Sequence, residues 1–270
     1  MKWWLIIGFL GFLLWDNQRI SLTRYKIKLR KFNKNFSGFR IVQISDLHNQ
    51  IFGKNQRHVL KKVREGEPDV IVITGDLVDF RHTNIEIALD MVRQLKKIAP
   101  VYMVTGNHEL WSPRWSELKQ ELEKEKILLD GKRVVLRKNK DKINLWGIAD
   151  PGNQVRESSE FFGDNLRVMI SKMNKNEVNV LLSHRPEKFK DYVDNSFDLV
   201  LTGHAHGGQM RLPILGGLVA PHQGILPDFD AGMFRQGGTG MIVSRGLGNS
   251  VIPLRVFNNP EIVSIVIFNP

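Results

Sequence analysis

Short apolar, β-branched runs alternate along the chain with stretches whose apolar positions recur at helical spacing. Phe39 to Ser45 predicts a buried strand, and Asn55 to Arg64 a helix with Val59, Leu60 and Val63 on one stripe. Val70 to Thr74 and Val101 to Thr105 predict further strands. Between them, Ile85 to Ile98 sets Ile85, Ala88, Leu89, Val92 and Leu95 on one helical face, and Trp115 to Lys126 continues the alternation as a helix. Strand-helix-strand units of this length predict parallel strands buried under helices. The second half is less regular, with strands expected at Val134–Leu136, Ile143–Gly147, Val178–Ser183 and Leu199–Thr202. After a Gly-rich stretch come β-segments at Met241–Ser244, Leu254–Phe257 and Ile262–Phe268. Two αβ halves that both finish in strands predict an α/β fold in which two mixed sheets face each other inside helices.

One segment stands outside this rhythm. Trp3 to Trp15 is an uncharged run that would reach only about 20 Å as a helix, against a hydrocarbon core of ~30 Å. An uncleaved anchor with interfacial tryptophans is favoured over a signal-peptide core, a helix lying in the membrane surface, or a buried core segment. Asp16-Asn17-Gln18-Arg19 supplies no small-residue cleavage site. The expected organisation is therefore a membrane anchor or interfacial helix over residues 1–18 and one catalytic domain over residues 19–270.

Charge sharpens this expectation. Residues 1–40 hold nine Lys/Arg against one acid, Asp16, and so carry +8 of the formal +11. The remaining +3 does not describe a basic face for nucleic acid, and no nucleic-acid partner is expected. If the apolar run spans a membrane, the cations after it place the catalytic domain on the cytoplasmic face. Tyr25-Lys26-Ile27-Lys28-Leu29 also alternates as a strand would, so some of that charge is one face of a sheet. The chain has no cysteine, which leaves nitrogen and oxygen ligands for any bound metal.

Polar residues gather where the predicted strands end. Asp46 and His48 follow the first, Asp76 and Asp79 the second, and Asn107-His108 the third, while His184, then His204 and His206, follow two strands of the second half. Any one of these has an ordinary explanation as a turn, a cap or a hydrogen-bonded core residue. Five strand ends that each supply a carboxylate, imidazole or carboxamide converge on the edge where α/β folds bind ligands. Gly75, Gly106 and Gly203 would permit tight turns there.

Taken in order, Asp46-Leu-His48, Gly75-Asp76-Leu-Val-Asp79, Gly106-Asn107-His108-Glu109, His184 and Gly203-His204-Ala-His206 resemble the five motifs of the calcineurin-like metallophosphoesterases, from about residue 40 to 210. Gly207-Gly208-Gln209-Met-Arg211-Leu-Pro213 and Val243-Ser-Arg245-Gly-Leu-Gly-Asn249-Ser are similar to segments of its membrane-associated bacterial branch. The resemblance implies an αββα sandwich carrying two divalent metal ions, with Mn, Fe, Zn and Co all compatible. One ion would take Asp46, His48, Asp76 and His206, and the other Asp76, Asn107, His184 and His204, with Asp76 as the bridge. Paired ions of this kind activate a water and clamp phosphoryl oxygens during in-line attack. His108 would protonate the leaving group and Asp79 would hold its imidazole, whereas Glu109 and Ser183 would be supports.

The phosphoprotein phosphatases of the superfamily carry Arg-Gly after the second motif's Asp, but Phe80-Arg81 stands here, which disfavours a phosphoprotein substrate. Arg81, Arg211 and Arg245 could each meet a phosphate, although a carboxylate partner or a surface position is the default for an arginine. His222 has no expected role, and His58 and His82 read as surface residues. The expected activity is hydrolysis of a phosphodiester or pyrophosphate of a lipid or envelope intermediate at the cell membrane. Hydrolysis of soluble phosphoesters or nucleotides is the alternative within enzymes, and a metal-binding membrane interaction protein the alternative outside them.

Overall fold

The computed structural model describes residues 3–29, 31, 37–138, 141–152, 157–249 and 254–268. In chain order these form α1 (Trp3–Asp16), β1 (Ser21–Lys28), β2 (Phe39–Ile44), α2 (Arg57–Glu65), β3 (Val70–Thr74), α3 (Ile85–Lys96), β4 (Val101–Val104), α4 (Asn107–Trp111) and α5 (Trp115–Lys124). The second half comprises β5 (Arg133–Lys138), β6 (Asp141–Gly147), α6 (Glu157–Ser171), β7 (Val178–Leu182), α7 (Phe189–Asp194) and β8 (Leu199–Thr202). It continues through β9 (Arg211–Leu212), β10 (Gly216–Gly217), β11 (Val219–Ala220), β12 (Gly224–Ile225), β13 (Gly232–Gln236), β14 (Thr239–Val243) and β15 (Glu261–Phe268).

Two mixed sheets result. One runs β1-β15-β2-β3-β4 and the other β13-β14-β8-β7-β6-β5. In the first, β2, β3 and β4 are mutually parallel and β15 is antiparallel to β2; in the second, β6, β7, β8 and β14 are parallel and both edge strands antiparallel.

Strand alternation builds three apolar layers from these two sheets. Ile41, Val70 and Val72 face Val180, Leu182, Leu199 and Leu201 across the space between the sheets. The intervening Val42, Ile44, Ile71 and Ile73 turn the other way, onto α2, α3 and α5. Leu181, Val200 and Val243 turn outward onto α6 and α7. The facing mixed sheets flanked by helices are thus the αββα sandwich that the sequence predicts. Burial on both sides explains why β3, β7 and β8 are uninterrupted or nearly uninterrupted apolar runs.

Helix α3 shows how sequence sets a local boundary. The Asn84 carboxamide oxygen accepts the Ile87 N–H at 3.1 Å, an N-cap, and the buried stripe from Ile85 to Leu95 faces the core.

Two expectations change. Leu254–Phe257 is not a strand: among the described residues it makes a single bridge, Val256 to Met210, with the Arg211 N–H donating to the Val256 carbonyl at 2.9 Å. The periodicity did not reveal α6, nor the short hairpins β9–β10 and β11–β12. The N-terminal segment forms a helix of 14 residues, about 21 Å long. Among the described residues no helix is long and apolar enough to cross a membrane.

Among the described residues, the C-terminal part of α1 is what is fastened to the domain. Leu13, Asp16 and Asn17 are buried, the Asn17 carboxamide donates to the Arg255 carbonyl at 2.8 Å, and the Arg255 N–H donates back to it at 2.9 Å. The helix nevertheless exposes Trp3, Trp4, Ile7, Leu10, Leu14 and Trp15.

Candidate metal centre

Parallel pairing carries the ends of β2, β3 and β4 to one edge of the first sheet and those of β7 and β8 to one edge of the second. The two edges are fastened together there. Gln43 Nε2 donates to Thr74 Oγ1 at 2.9 Å within its own sheet and to the Thr202 carbonyl at 2.8 Å across to the other. The loops that follow continue the ladder briefly, with the Asp46 N–H donating to the Gly75 carbonyl and the His48 N–H to that of Asp76, both at 3.0 Å.

Side chains from these loops form two clusters that share Asp76. In the first, potential ligand atoms of Asp46, His48, Asp76 and His206 all lie within 4.8 Å of one another; in the second, those of Asp76, His184 and His204 do. Asn107 opens α4 beside them, and its carboxamide oxygen is buried without a hydrogen-bond partner, an orphan acceptor that a cation would satisfy. All seven residues are buried. His48 Nε2 and His206 Nε2 lie 3.2 Å apart, and His204 Nδ1 and His184 Nε2 3.0 Å apart. The ring nitrogen of His184 on the far side, Nδ1, donates to the Thr74 carbonyl at 2.7 Å, which orients the ring and leaves Nε2 facing Asp76 at 3.2 Å.

Backbone strain marks the same places. Asp46, His48, Asp76, His204 and His206 all have φ between +48° and +67°, a region that costs a non-glycine residue on the order of 1 kcal/mol or more. Gly203 is glycine for a different reason than a turn: a Cβ there would overlap Ser45 Oγ and press on Asp46 Oδ2. At Gly106 a Cβ would likewise run into the Asp76 carboxylate.

Glu109 organises the space between the second and third loops. Its carboxylate accepts the N–H groups of Asp76 (2.8 Å), Leu77 (2.7 Å), Val78 (3.1 Å) and Gly106 (2.7 Å). The Asp76 Oδ1 in turn accepts the His108 N–H at 2.8 Å.

Burial sets the protonation states. It pushes His48 down to about 3 and holds His204 and His206 well below the usual imidazole range, so all three are neutral, the form that coordinates metal. Burial raises Asp46 to about 6. Burial also opposes charge on Asp76 and His184, but their mutual attraction outweighs it. Asp76 sits well below the carboxylate range and His184 rises to about 10. His184 thus holds a proton against Asp76, in the place where a cation would replace it. The donor set fits paired divalent ions: three neutral imidazoles, an ionised bridge, a fourth imidazole whose proton a cation would displace, and an orphan carboxamide oxygen.

His108 stands edge-on to His48, with ring centroids 4.3 Å apart, between Phe80 and Trp111. Asp79, His48 and His108 also bring ligand atoms within 4.8 Å of one another. No direct hydrogen bond joins Asp79 to His108, however. Asp79 Oδ1 accepts the Arg81 N–H at 2.7 Å, and His108 Nδ1 accepts the Phe80 N–H at 3.4 Å. Of the three arginines considered for phosphate, Arg211 pairs with Asp230 at 2.8 Å and Arg245 with Glu261 at 3.3 Å. Among the described residues Arg81 alone of the three has no carboxylate partner, and its guanidinium lies over Phe80. The Ser183 hydroxyl is 2.8 Å from the Tyr192 hydroxyl. His58 and His82 are exposed, as expected of surface residues.

Two groups that sequence reasoning missed complete the site. Arg185 is fully buried and binds Asp150 through two nitrogens, Nε at 2.5 Å and Nη2 at 2.8 Å. Its Nη1 donates to His204 Nε2 at 3.1 Å and to His222 Nδ1 at 2.7 Å. His222 lies 2.9 Å from His204 at the exposed rim of the cluster. Adjacency to His184 was the only signal for Arg185. Nothing local distinguishes His222, which reaches the site through a turn with φ +60°.

A two-sheet sandwich with a paired-cluster site at its sheet edges defines a metal-dependent phosphoester hydrolase. The sequence profile of the calcineurin-like phosphoesterases matches residues 39–208, and the chain belongs to that family. It is accordingly a metal-dependent phosphoesterase with a dinuclear divalent centre.

Among its relatives, the uncharacterized metallophosphoesterase YkuE of Bacillus subtilis (strain 168) is 28% identical over 252 residues, covering 90% of this chain and 84% of that protein. A protein of Danio rerio named transmembrane protein with metallophosphoesterase domain is 29% identical over 90% of this chain, which spans 56% of it. The crystal structure of TT1561 from Thermus thermophilus superposes with a TM-score of 0.51 at 13% identity, covering 78% of this chain and 91% of that one, a likeness of fold.

Proposed function

We propose that one metal ion is held by Asp46, His48, Asp76 and His206 and the other by Asp76, Asn107, His184 and His204, and that the site hydrolyses an amphiphilic phosphodiester or pyrophosphate at a membrane surface. The observation that carries the assignment is the pair of buried clusters meeting at Asp76, with the unpartnered Asn107 oxygen beside them. Bound ions of this kind supply a water of lowered pKa and charge to stabilise the phosphoryl oxygens. The chain supplies the rest. His108 accepts the Phe80 N–H at Nδ1, so its Nε2–H is the proton offered to the leaving oxygen. Asp79, whose carboxyl lies close by, supports positive charge on that ring as the proton is exchanged. Arg81 and His222 stand at the rim, placed to meet the substrate's outer phosphate or headgroup.

The substrate class rests on the surface around that rim. Leu212, Ile214, Leu215, Val219, Ile225 and Leu226 are all exposed on the hairpins flanking His222, an apolar concentration unusual for a soluble-substrate site. In this reading residues 1–18 are a membrane anchor or interfacial helix and residues 19–270 the catalytic domain; the word transmembrane in the name of the Danio rerio relative is consistent with a membrane setting.

Manganese-loaded protein assayed on a chromogenic phosphodiester, a phosphomonoester and a micellar lipid phosphodiester tests the reading. The lipid ester is expected to be cleaved with the highest kcat/KM. Asp76→Asn should remove nearly all activity, and His108→Asn should lower kcat by roughly 10²- to 10⁴-fold. Activity unaffected by both substitutions would refute the site, and a preference for soluble nucleotides would refute the amphiphilic substrate.

A further inference from the structure

A cavity of about 470 Å³ opens where α1 meets the domain. It is lined by Arg19 and Ile20, just after α1, and by Arg57, His58, Lys61 and Lys62 from α2. Arg19 is paired with Asp16 at 3.0 Å and Lys62 with Glu65 at 2.7 Å. Among the described residues no acid lies within ion-pair distance of Arg57 or Lys61. The cavity therefore gathers more cation than anion, beside the exposed apolar helix.

Position gives that charge a meaning. The Arg19 guanidinium stacks 4.7 Å from the centroid of the exposed Trp15 ring, so one aromatic end of the apolar helix and one wall of the cationic cavity are in contact. A tryptophan-arginine pair next to an apolar helix belongs at the level of lipid headgroups. We propose that this cavity receives the phosphate of an anionic phospholipid headgroup, presented by the bilayer in which α1 beds. The inference rests on the reading of α1 as a membrane-contacting element, and adds to it a specific choice of lipid charge and a fixed orientation of the domain. Complementarity selects the occupant: four basic side chains line the cavity together with Ile20, and the helix beside it leaves apolar side chains of its first turns exposed.

The test is flotation of the full chain with vesicles of phosphatidylcholine alone or with about 30 mol% phosphatidylglycerol. The account predicts binding to both, tighter to the anionic vesicles. Arg57→Gln with Lys61→Gln should weaken anionic binding by about 25-fold, roughly fivefold for each cation removed. Binding to neutral vesicles and hydrolysis of a soluble chromogenic ester should be unchanged. Removing equal charge beyond α6, with Lys172→Gln and Lys175→Gln, should leave anionic binding intact.

Wild-type protein that binds neutral vesicles with no gain from anionic lipid would overturn the cavity proposal and leave the α1 reading standing. Failure to bind either vesicle would overturn both. An equal loss in the Lys172/Lys175 variant would show a general charge effect and sink the proposal. So would abolition of the gain by inorganic phosphate at matched ionic strength, which would make the cavity a site for a soluble anion.

Discussion

Arg185 is the residue whose importance was least visible and whose removal is easiest to interpret. Its charge is buried, bonded at two points to Asp150 and aimed at His204 and His222. Arg185→Leu leaves Asp150 as a buried, unpaired carboxylate and should cost about 3–5 kcal/mol by urea denaturation. Adding Asp150→Asn should recover most of that loss without restoring activity, because His204 still lacks its positioning donor. A single variant as stable as wild type would contradict the buried-pair account. The seven proposed ligands, by contrast, were legible in the sequence. Each follows an apolar run, and the order of carboxylate, carboxamide and imidazole is specific. The left-handed backbone of five of them was not legible, since at Asp46 it accompanies close approach of Gly203 and Gly246, which are far away in sequence.

At the scale of elements, the strands buried on both faces and the helices α2, α3 and α5 were predicted to within a few residues, because burial writes itself directly into apolar spacing. The hairpins β9 to β12 carry apolar residues on exposed positions, which inverts that rule and hides them. In Leu254–Phe257 the apolar Phe257 packs on α1, its ring centroid 5.9 Å from that of Phe12, so the pattern resembles a strand without strand pairing.

A pH-dependent joint connects the elements near the site. Past the end of β4, Asp130 accepts the Thr105 N–H at 3.0 Å and the Thr105 hydroxyl at 2.9 Å, and burial raises its carboxyl to about 6. The folded protein therefore binds this proton more tightly than the unfolded chain, where the group titrates near 4. Its contribution to stability is full below about pH 4 and is lost as pH rises through 6. The stability difference between wild type and Asp130→Asn should thus fall by roughly 3 kcal/mol across that interval in urea titrations at several pH values. A difference independent of pH would contradict it.

For the whole molecule, the site exists only because two separately built sheets meet. The first supplies Asp46, His48, Asp76 and Asn107, the second His184, His204 and His206, and Gln43 locks the two edges together across the sandwich. Charge at this scale was also legible: the excess of cation lies near the N-terminus, and the structure brings residues of α2 to join it at the foot of α1. What the sequence could not show was that the end of the apolar helix is fastened to the domain while most of its described apolar side chains stay exposed. The central claim remains that Asp76 is shared by two ions. Elemental analysis of manganese-loaded protein after gel filtration tests it most directly: the account predicts two ions per chain in the wild type and fewer than one in Asp76→Asn. A single ion in the wild type, or two retained by the variant, would contradict it.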